Sequence, residues 1–224
     1  DRELILKKKT ELNLSISIQA PDNVTSLLQT NPRLRDGIMG YYLDLFNFAH
    51  DIGAGLTTIH IGQMPMFRTD TRPVQFLPSG DVALFREAFE DNLTHVLKMA
   101  YGKTYVCIEN YRMDKVILPV IDSYLRKNNI GLCWDIAQTF YANGKIDKAI
   151  LDYMTRNKTF IKQVNLHDRN VAGTSYLSLG SGYINFSQYL AILEDADVRE
   201  YCLMVRPREK ATESLKYLRT VLLR

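Results

Sequence analysis

The sequence predicts an α/β protein in which parallel strands form a barrel and helices cover its outside. Two observations lead there. Six short apolar stretches, SISIQA, TTIHIG, YVCIEN, GLCWDI, KQVNLH and YCLMVR, are spread along the 224 residues. Each ends on a residue that alternation places on one face: Gln19, His60, Glu109, Asp135, Asn165 and Met204. Their neighbours Ile18, Ile59, Ile108, Trp134, Val164 and Leu203 share the other, apolar face. Two residues back on the first face come Ser17, Thr58, Cys107, Cys133, Gln163 and Cys202, a second layer of small or polar groups. A greasy outer face and a polar inner one at the carboxyl ends of the strands is the parity of a parallel (β/α) barrel.

Amphipathic helical patterns fill the spaces between the strands. Residues 2 to 9 read as the tail of a helix. Residues 34 to 52 put Leu34, Ile38, Tyr41, Tyr42, Leu45, Phe46 and Ala49 on one stripe, and Gly53 offers a left-handed stop. Residues 83 to 101 do the same with Phe85, Phe89, Leu93, Val96, Leu97 and Ala100, ending at Gly102. Near residue 185 the start is marked by Asn185 as a cap, Gln188 at the capping-box position and Ile184 as a staple onto Tyr189. Parallel strands need such crossovers.

A closed barrel of this kind has eight strand–helix units, and six are visible. The expectation is one barrel domain over 1–224, truncated at its amino terminus, with the strand at 14 to 19 either exposed at its edge or covered by another copy of the chain. The formal net charge of +3 and the scattered basic residues argue against a nucleic-acid partner. No membrane span or signal peptide is recognisable, so the expected location is the cytoplasm. The three cysteines lack metal-finger spacing and read as reduced packing residues.

Chemistry collects at the strand ends. Glu109 and Asp135 lie in apolar strands, where an unpaired carboxylate would cost several kcal/mol, so each needs a metal, a proton, water or a cation. An ion pair with Arg206 is the plain structural reading, weighed level with a functional one. His60 divides in the same way between ligand and core histidine. Asp168 reads as a brace for the loop after the 162–167 strand. The connection 62–80, GQMPMFRTDTRPVQFLPSG, is long for a compact domain and carries Arg68, Arg72, Phe67 and Phe76 at the carboxyl face, which reads either as a lid or binding loop or as a plain mobile surface loop. The segment GTSYLSLGSGYIN runs into the helix at Asn185, and its backbone amides are a weak candidate for a phosphate.

The stretches SIQAP, AHDIGA, IHIG, CIENY, GLCWDIAQ, QVNLHDRN, SYLSLGSGYINFSQYL and LMVRPREKATESLKYL, in this order, resemble the xylose-isomerase-like TIM-barrel superfamily over residues 14 to 222. That superfamily includes sugar and sugar-phosphate isomerases and epimerases and the endonuclease IV family. The resemblance implies a metal site here with two carboxylates intact, Glu109 and Asp135. Its third ligand, normally histidine, is Asn165, and its fourth, normally glutamate, is Met204. Of the further endonuclease histidines His60 remains, Gln19, Gln138 and Tyr176 occupy the others, and Thr174 replaces an aspartate. Amides and a thioether are poor ligands for a hard or borderline dication.

The resulting expectation is a sugar or sugar-phosphate isomerase or epimerase with a degenerate metal site. Glu109, Asp135, His60 and Arg206 are the catalytic candidates, with Glu109 as base and Arg206 as electrostatic support. Asn165, His167, Gln19 and Arg68 are expected to contact a small carbohydrate or phosphosugar. One divalent metal, zinc, manganese or iron, held weakly by His60, Glu109 and Asp135 is weighted equally with none. A homo-oligomer is a further expectation. The alternative is a barrel that has lost catalysis and serves as a binding or scaffold protein. An abasic-site nuclease ranks last, because the phosphate-cleaving metal cluster is eroded.

Overall fold

The computed structural model describes residues 2–21, 25–63, 67–68, 73–74 and 79–222. Strands and helices alternate along the chain as the sequence predicts. The elements are α1 (Arg2–Glu11), β1 (Ser17–Gln19), α2 (Pro32–Asp51), β2 (Leu56–Ile59), β3 (Phe67–Arg68), β4 (Pro73–Val74), α3 (Ser79–Ala100), β5 (Tyr105–Glu109), α4 (Leu118–Arg126), β6 (Gly131–Asp135), α5 (Lys148–Arg156), β7 (Ile161–Leu166), α6 (Phe186–Ile192), β8 (Glu200–Leu203) and α7 (Arg208–Leu222). The fold class is that of a (β/α) TIM-like barrel with six β/α units. The chain forms two compact units, Asp1–Ile108 with Arg112–Gly131, and Glu109–Tyr111 with Leu132–Arg224. Among the described residues no helix is long and apolar enough to cross a membrane.

In the first unit β1 pairs with β2 and β2 with β5, all parallel. The long α2 begins where Asn31 accepts hydrogen bonds from the backbone N–H groups of Arg33 and Leu34, with Pro32 in the first turn, where its missing N–H costs nothing. Ile38, Tyr42, Phe46 and Ala49 are buried on one stripe, as the periodicity requires, whereas Leu34 is exposed. Gly53, at φ +62, ends the helix. The Nζ of Lys9 on α1 donates to the carbonyls of Ile52 at 3.2 Å and Gly53 at 2.8 Å, a cation placed on the helix carboxyl end. In α3 the predicted stripe is buried at Phe89, Leu93, Val96 and Ala100. Most of the 62–80 connection, including Arg72 and Phe76, lies outside the described residues. Within it β3 and β4 pair antiparallel, Phe67 with Val74 and Arg68 with Pro73.

In the second unit β6 pairs with β7 and β7 with β8, again parallel. Trp134 is fully buried, its Nε1 donating to Thr139 Oγ1 at 2.8 Å and its ring meeting that of Tyr189 edge-on. Asn185 stands at the start of α6 but makes no side-chain cap, contrary to the capping-box expectation. The N–H of Ile184 beside it is already committed to Asp168, at 3.2 Å, so the loop rather than a cap sets the helix entry.

The register staggers the inward residues. Gln19 is level with Thr58, not with His60, which follows the end of β2. Asp135 is level with Asn165, and Asn165 with Cys202, so Met204 stands two residues beyond their level. Within each unit the inward residues therefore form a stepped set sharing a face. Strands of a tilted parallel sheet are sheared past one another, and β6 adds a bulge between Leu132 and Cys133.

Candidate functional site

The second unit holds Glu109, Asp135, Asn165 and His167 buried as two hydrogen-bonded pairs, Glu109 with Asn165 and Asp135 with His167. Glu109 and Asp135 are each 3% exposed, Asn165 and His167 not at all. Their strands supply this burial, with β6 buried at every position and β7 at every position but Lys162.

Asp135 is held from several sides. One carboxylate oxygen accepts the N–H groups of Ala137 at 2.9 Å and Gln138 at 3.3 Å, capping the short 3-10 helix Ile136–Thr139. The other faces His167 Nε2 at 3.2 Å. Its backbone is clamped by Asn110, whose Oδ1 accepts from Asp135 N at 2.7 Å while its Nδ2 donates to Asp135 O at 3.1 Å. Burial raises the Asp135 carboxyl above its ordinary pKa, His167 opposes that rise, and the charge of Glu109 adds to it.

The tautomer of His167 follows from its neighbours. Nδ1 lies 3.1 Å from the Tyr176 backbone N–H and 3.4 Å from the Asp168 carbonyl; in the neutral ring the shorter contact makes Nδ1 the acceptor and leaves the proton on Nε2, facing Asp135. Burial works against a charged ring, but the Asp135 hydrogen bond and charge outweigh it and raise the histidine pKa. The ring of Tyr176 stacks on that of His167, centroids 4.4 Å apart. His167 thus offers no surface to a ligand in this structure. Both of its nitrogens are engaged within the chain, Nε2 with Asp135 and Nδ1 with the backbone of Tyr176.

Asn165 Nδ2 donates to Glu109 Oε1 at 3.2 Å. A carboxylate only accepts, so the amide must present its NH2 group here. Beyond Asn165 the face ends in sulfur, with Cys202 Sγ 3.6 Å from Met204 Sδ. Arg206 does not support the carboxylates. It is exposed beyond β8, next to Pro207 across a cis peptide bond, and forms no ion pair among the described residues. Asn165 takes the place expected of it at Glu109.

The loop after β7 is organised by Asp168. This buried carboxylate accepts from the N–H groups of Arg169, Gly180, Gly182 and Ile184 at 2.8, 3.0, 2.8 and 3.2 Å. The amides considered for a phosphate are therefore spent internally. Gly182 permits this wrap, because a Cβ there would run into Arg169 O and the Asp168 carboxylate. Arg169, not singled out in the sequence, adds a cation that donates to the carbonyls of Ala137 at 3.2 Å and Phe140 at 2.9 Å.

In the first unit Gln19 and His60 form a pair, Gln19 Nε2 to His60 Nε2, 3.2 Å apart. The amide donates, so the imidazole Nε2 lone pair is occupied. Arg68 belongs to β3, and its side chain lies outside the described residues.

Hydrogen-bond donors meet one oxygen of Glu109, both oxygens of Asp135 and Nε2 of His60. Asn165 serves Glu109, His167 and two backbone amides serve Asp135, and Gln19 serves His60. Among the described residues no three His, Cys, Asp or Glu side chains are grouped to hold an ion. Within the second unit an amide, Asn165, and a thioether, Met204, share the face of Glu109 and Asp135, a donor set poor for a divalent metal.

Parallel strands alternating with helices define a barrel of the TIM type. The chain belongs to the xylose isomerase-like TIM barrel family, whose model matches residues 1–221. Among solved structures it is similar to a D-tagatose 3-epimerase-like protein, with TM-score 0.78 and 19% identity over 99% of this chain and 82% of that one. A 3-keto-D-glucoside 4-epimerase, YcjR, from E. coli superposes with TM-score 0.68 at 18% identity, covering 98% of this chain and 87% of that one. Endonuclease IV from Thermus thermophilus gives TM-score 0.64 at 15% identity, over 99% of this chain and 81% of that one. At these identities the likeness is one of fold. No curated protein matches by sequence.

Proposed function

We propose that the protein acts on a small sugar, as an isomerase or epimerase that moves a proton beside a carbonyl without a resident metal. The observation that carries this reading is the pair of carboxylates buried at the strand ends, Glu109 and Asp135, each oriented by its own donor. Asn165 fixes Glu109 by one oxygen, and Glu109 is the base. Asp135, whose affinity for a proton burial increases, returns the proton as acid, with the Nε2–H of His167 steadying it when ionised. Family membership and the epimerase likenesses support the sugar class.

The test is proton exchange. D-tagatose and D-allulose, the sugars in the names of similar structures, are incubated with the protein in D2O and followed by NMR. Deuterium should enter at the carbon beside the carbonyl, and Glu109→Gln should slow this by at least about 100-fold, the scale of general-base loss. Equal exchange by wild type and Glu109→Gln would overturn the assignment.

The second reading is a barrel that binds a sugar without turning it over. The closed hydrogen-bond network around Asp135 favours it, since Ala137, Gln138 and His167 already serve that carboxylate from within the chain. Saturable binding with no deuterium uptake is its signature.

A further inference from the structure

β5 ends at Glu109, and the chain turns at Tyr111 and Arg112. Between them Asn110 is 2% exposed and makes three hydrogen bonds to β6. Its backbone N–H donates to the Cys133 carbonyl at 3.3 Å. Its side chain reaches two residues further along, Oδ1 accepting from Asp135 N at 2.7 Å and Nδ2 donating to Asp135 O at 3.1 Å. A peptide N–H only donates and a carbonyl only accepts, so this pairing leaves one orientation for the amide.

In an extended strand the N–H and C=O of one residue point the same way, toward one neighbouring strand. At Asp135 both meet the Asn110 amide, which stands in for the strand residue that the turn withdraws. Asn110 directly follows Glu109, and Asp135 ends β6, so three bonds tie the backbone carrying the proposed base to the backbone carrying the proposed acid. Asn165 and His167 orient the two carboxylates one by one. The Asn110 bonds hold one strand end against the other.

We propose that Asn110 is a positioning residue, which sets the separation of Glu109 and Asp135 for proton transfer. The proposal rests on the proton-transfer reading above and adds the residue that fixes its geometry. A proton taken by one carboxylate and returned by another requires that both reach the same carbon, and a misplacement of about 1 Å can cost about 100-fold in rate. Both polar atoms of the Asn110 side chain are spent on Asp135, so its loss should leave sugar binding alone.

The experiment follows deuterium uptake by D-tagatose and D-allulose over a range of sugar concentrations in wild type, Asn110→Ala, Asn110→Gln and Asn92→Ala. Asn92 is the control, a buried asparagine of α3 whose Nδ2 donates to the carbonyls of Leu27 at 2.9 Å and Gln29 at 3.1 Å. Its change to alanine deletes two bonds of the same kind in the first unit. Both alanine variants should melt about 2–6 °C below wild type. Asn110→Ala should lose at least about tenfold in kcat with KM within about twofold, whereas Asn92→Ala keeps kcat. Asn110→Gln keeps both bonding groups but offsets them by one methylene, so it should lose at least about fivefold in kcat with KM held. Wild-type kcat in Asn110→Ala, an equal kcat loss in Asn92→Ala, or a loss that falls on KM overturns the positioning role alone, provided Glu109→Gln still stops exchange. If Asn110→Ala does not fold, Asn110→Gln decides: a kcat loss at constant KM supports the role and wild-type kcat overturns it. No exchange by the wild type removes the proton-transfer reading and the positioning role with it.

Discussion

Asn165 donates its amide N–H to the Glu109 carboxylate at 3.2 Å, with Asn165 wholly inaccessible to solvent. The amide matches the carboxylate's need for a donor and carries no charge into the strand ends. Asn165→Leu, close in size, removes that donor and should cost about 1–3 kcal/mol, the penalty of a buried acceptor losing a partner. Urea denaturation of the two proteins measures it. A loss under a few tenths of a kcal/mol would mean that water replaces the amide.

The His167–Asp135 pair sets a pH dependence of stability. Both groups have folded pKa values raised above their ordinary ones, His167 from 6.5 and Asp135 from 3.8. A raised pKa means the folded state holds the proton more firmly than the unfolded chain. The associated stability is fully present below the unfolded pKa and lost as pH rises through the folded one. For Asp135 the loss begins above pH 3.8, and for His167 above pH 6.5. Denaturant midpoints should therefore fall from pH 6.5 upward through the window of His167, and His167→Gln should flatten that fall. A midpoint rising with pH there in wild type alone would contradict the assignment.

Asp168 should be among the costliest polar residues to change. Four backbone N–H groups converge on its carboxylate, and an amide offers only one accepting atom. Asp168→Asn should lose about 3 kcal/mol, or roughly 6–12 °C in melting temperature. Differential scanning calorimetry decides it, and a shift of under about 2 °C would show that the loop finds other acceptors.

Metal binding should be absent in wild type and recoverable. Zinc or manganese titrated into the wild-type protein is expected to give the same heats as into Glu109→Gln. Changing Asn165→His together with Met204→Glu exchanges an amide and a thioether for an imidazole and a carboxylate on the face that holds Glu109 and Asp135, so this double variant should bind zinc measurably. Saturable wild-type binding that Glu109→Gln abolishes would show that the donors around Glu109 yield to an ion.

The alternation of side chains makes the shared face legible, because a period of two depends on each strand alone. Glu109, Asp135 and Asn165 are found that way. The heights are not legible. Register depends on pairing between strands, so Cys202 lies beside Asn165 and Met204 two residues beyond it. Arg206, expected at the carboxylates, is instead exposed beyond β8. Asn110 escapes notice although it directly follows Glu109, since a clamp on the Asp135 backbone leaves no periodic trace. The roles of His167 and Tyr176 depend on a backbone N–H folded back across nine residues, which no local pattern announces.

The wrapping of Asp168 bears on which ligands the loop after β7 tolerates. A string of amides curled about an anion is a receptor, and here the receptor carries its own guest, tethered by the chain. Those hydrogen bonds fix the shape of the loop from within the chain. An external anion at these amides would have to displace a carboxylate tethered by the chain and would feel its repulsion.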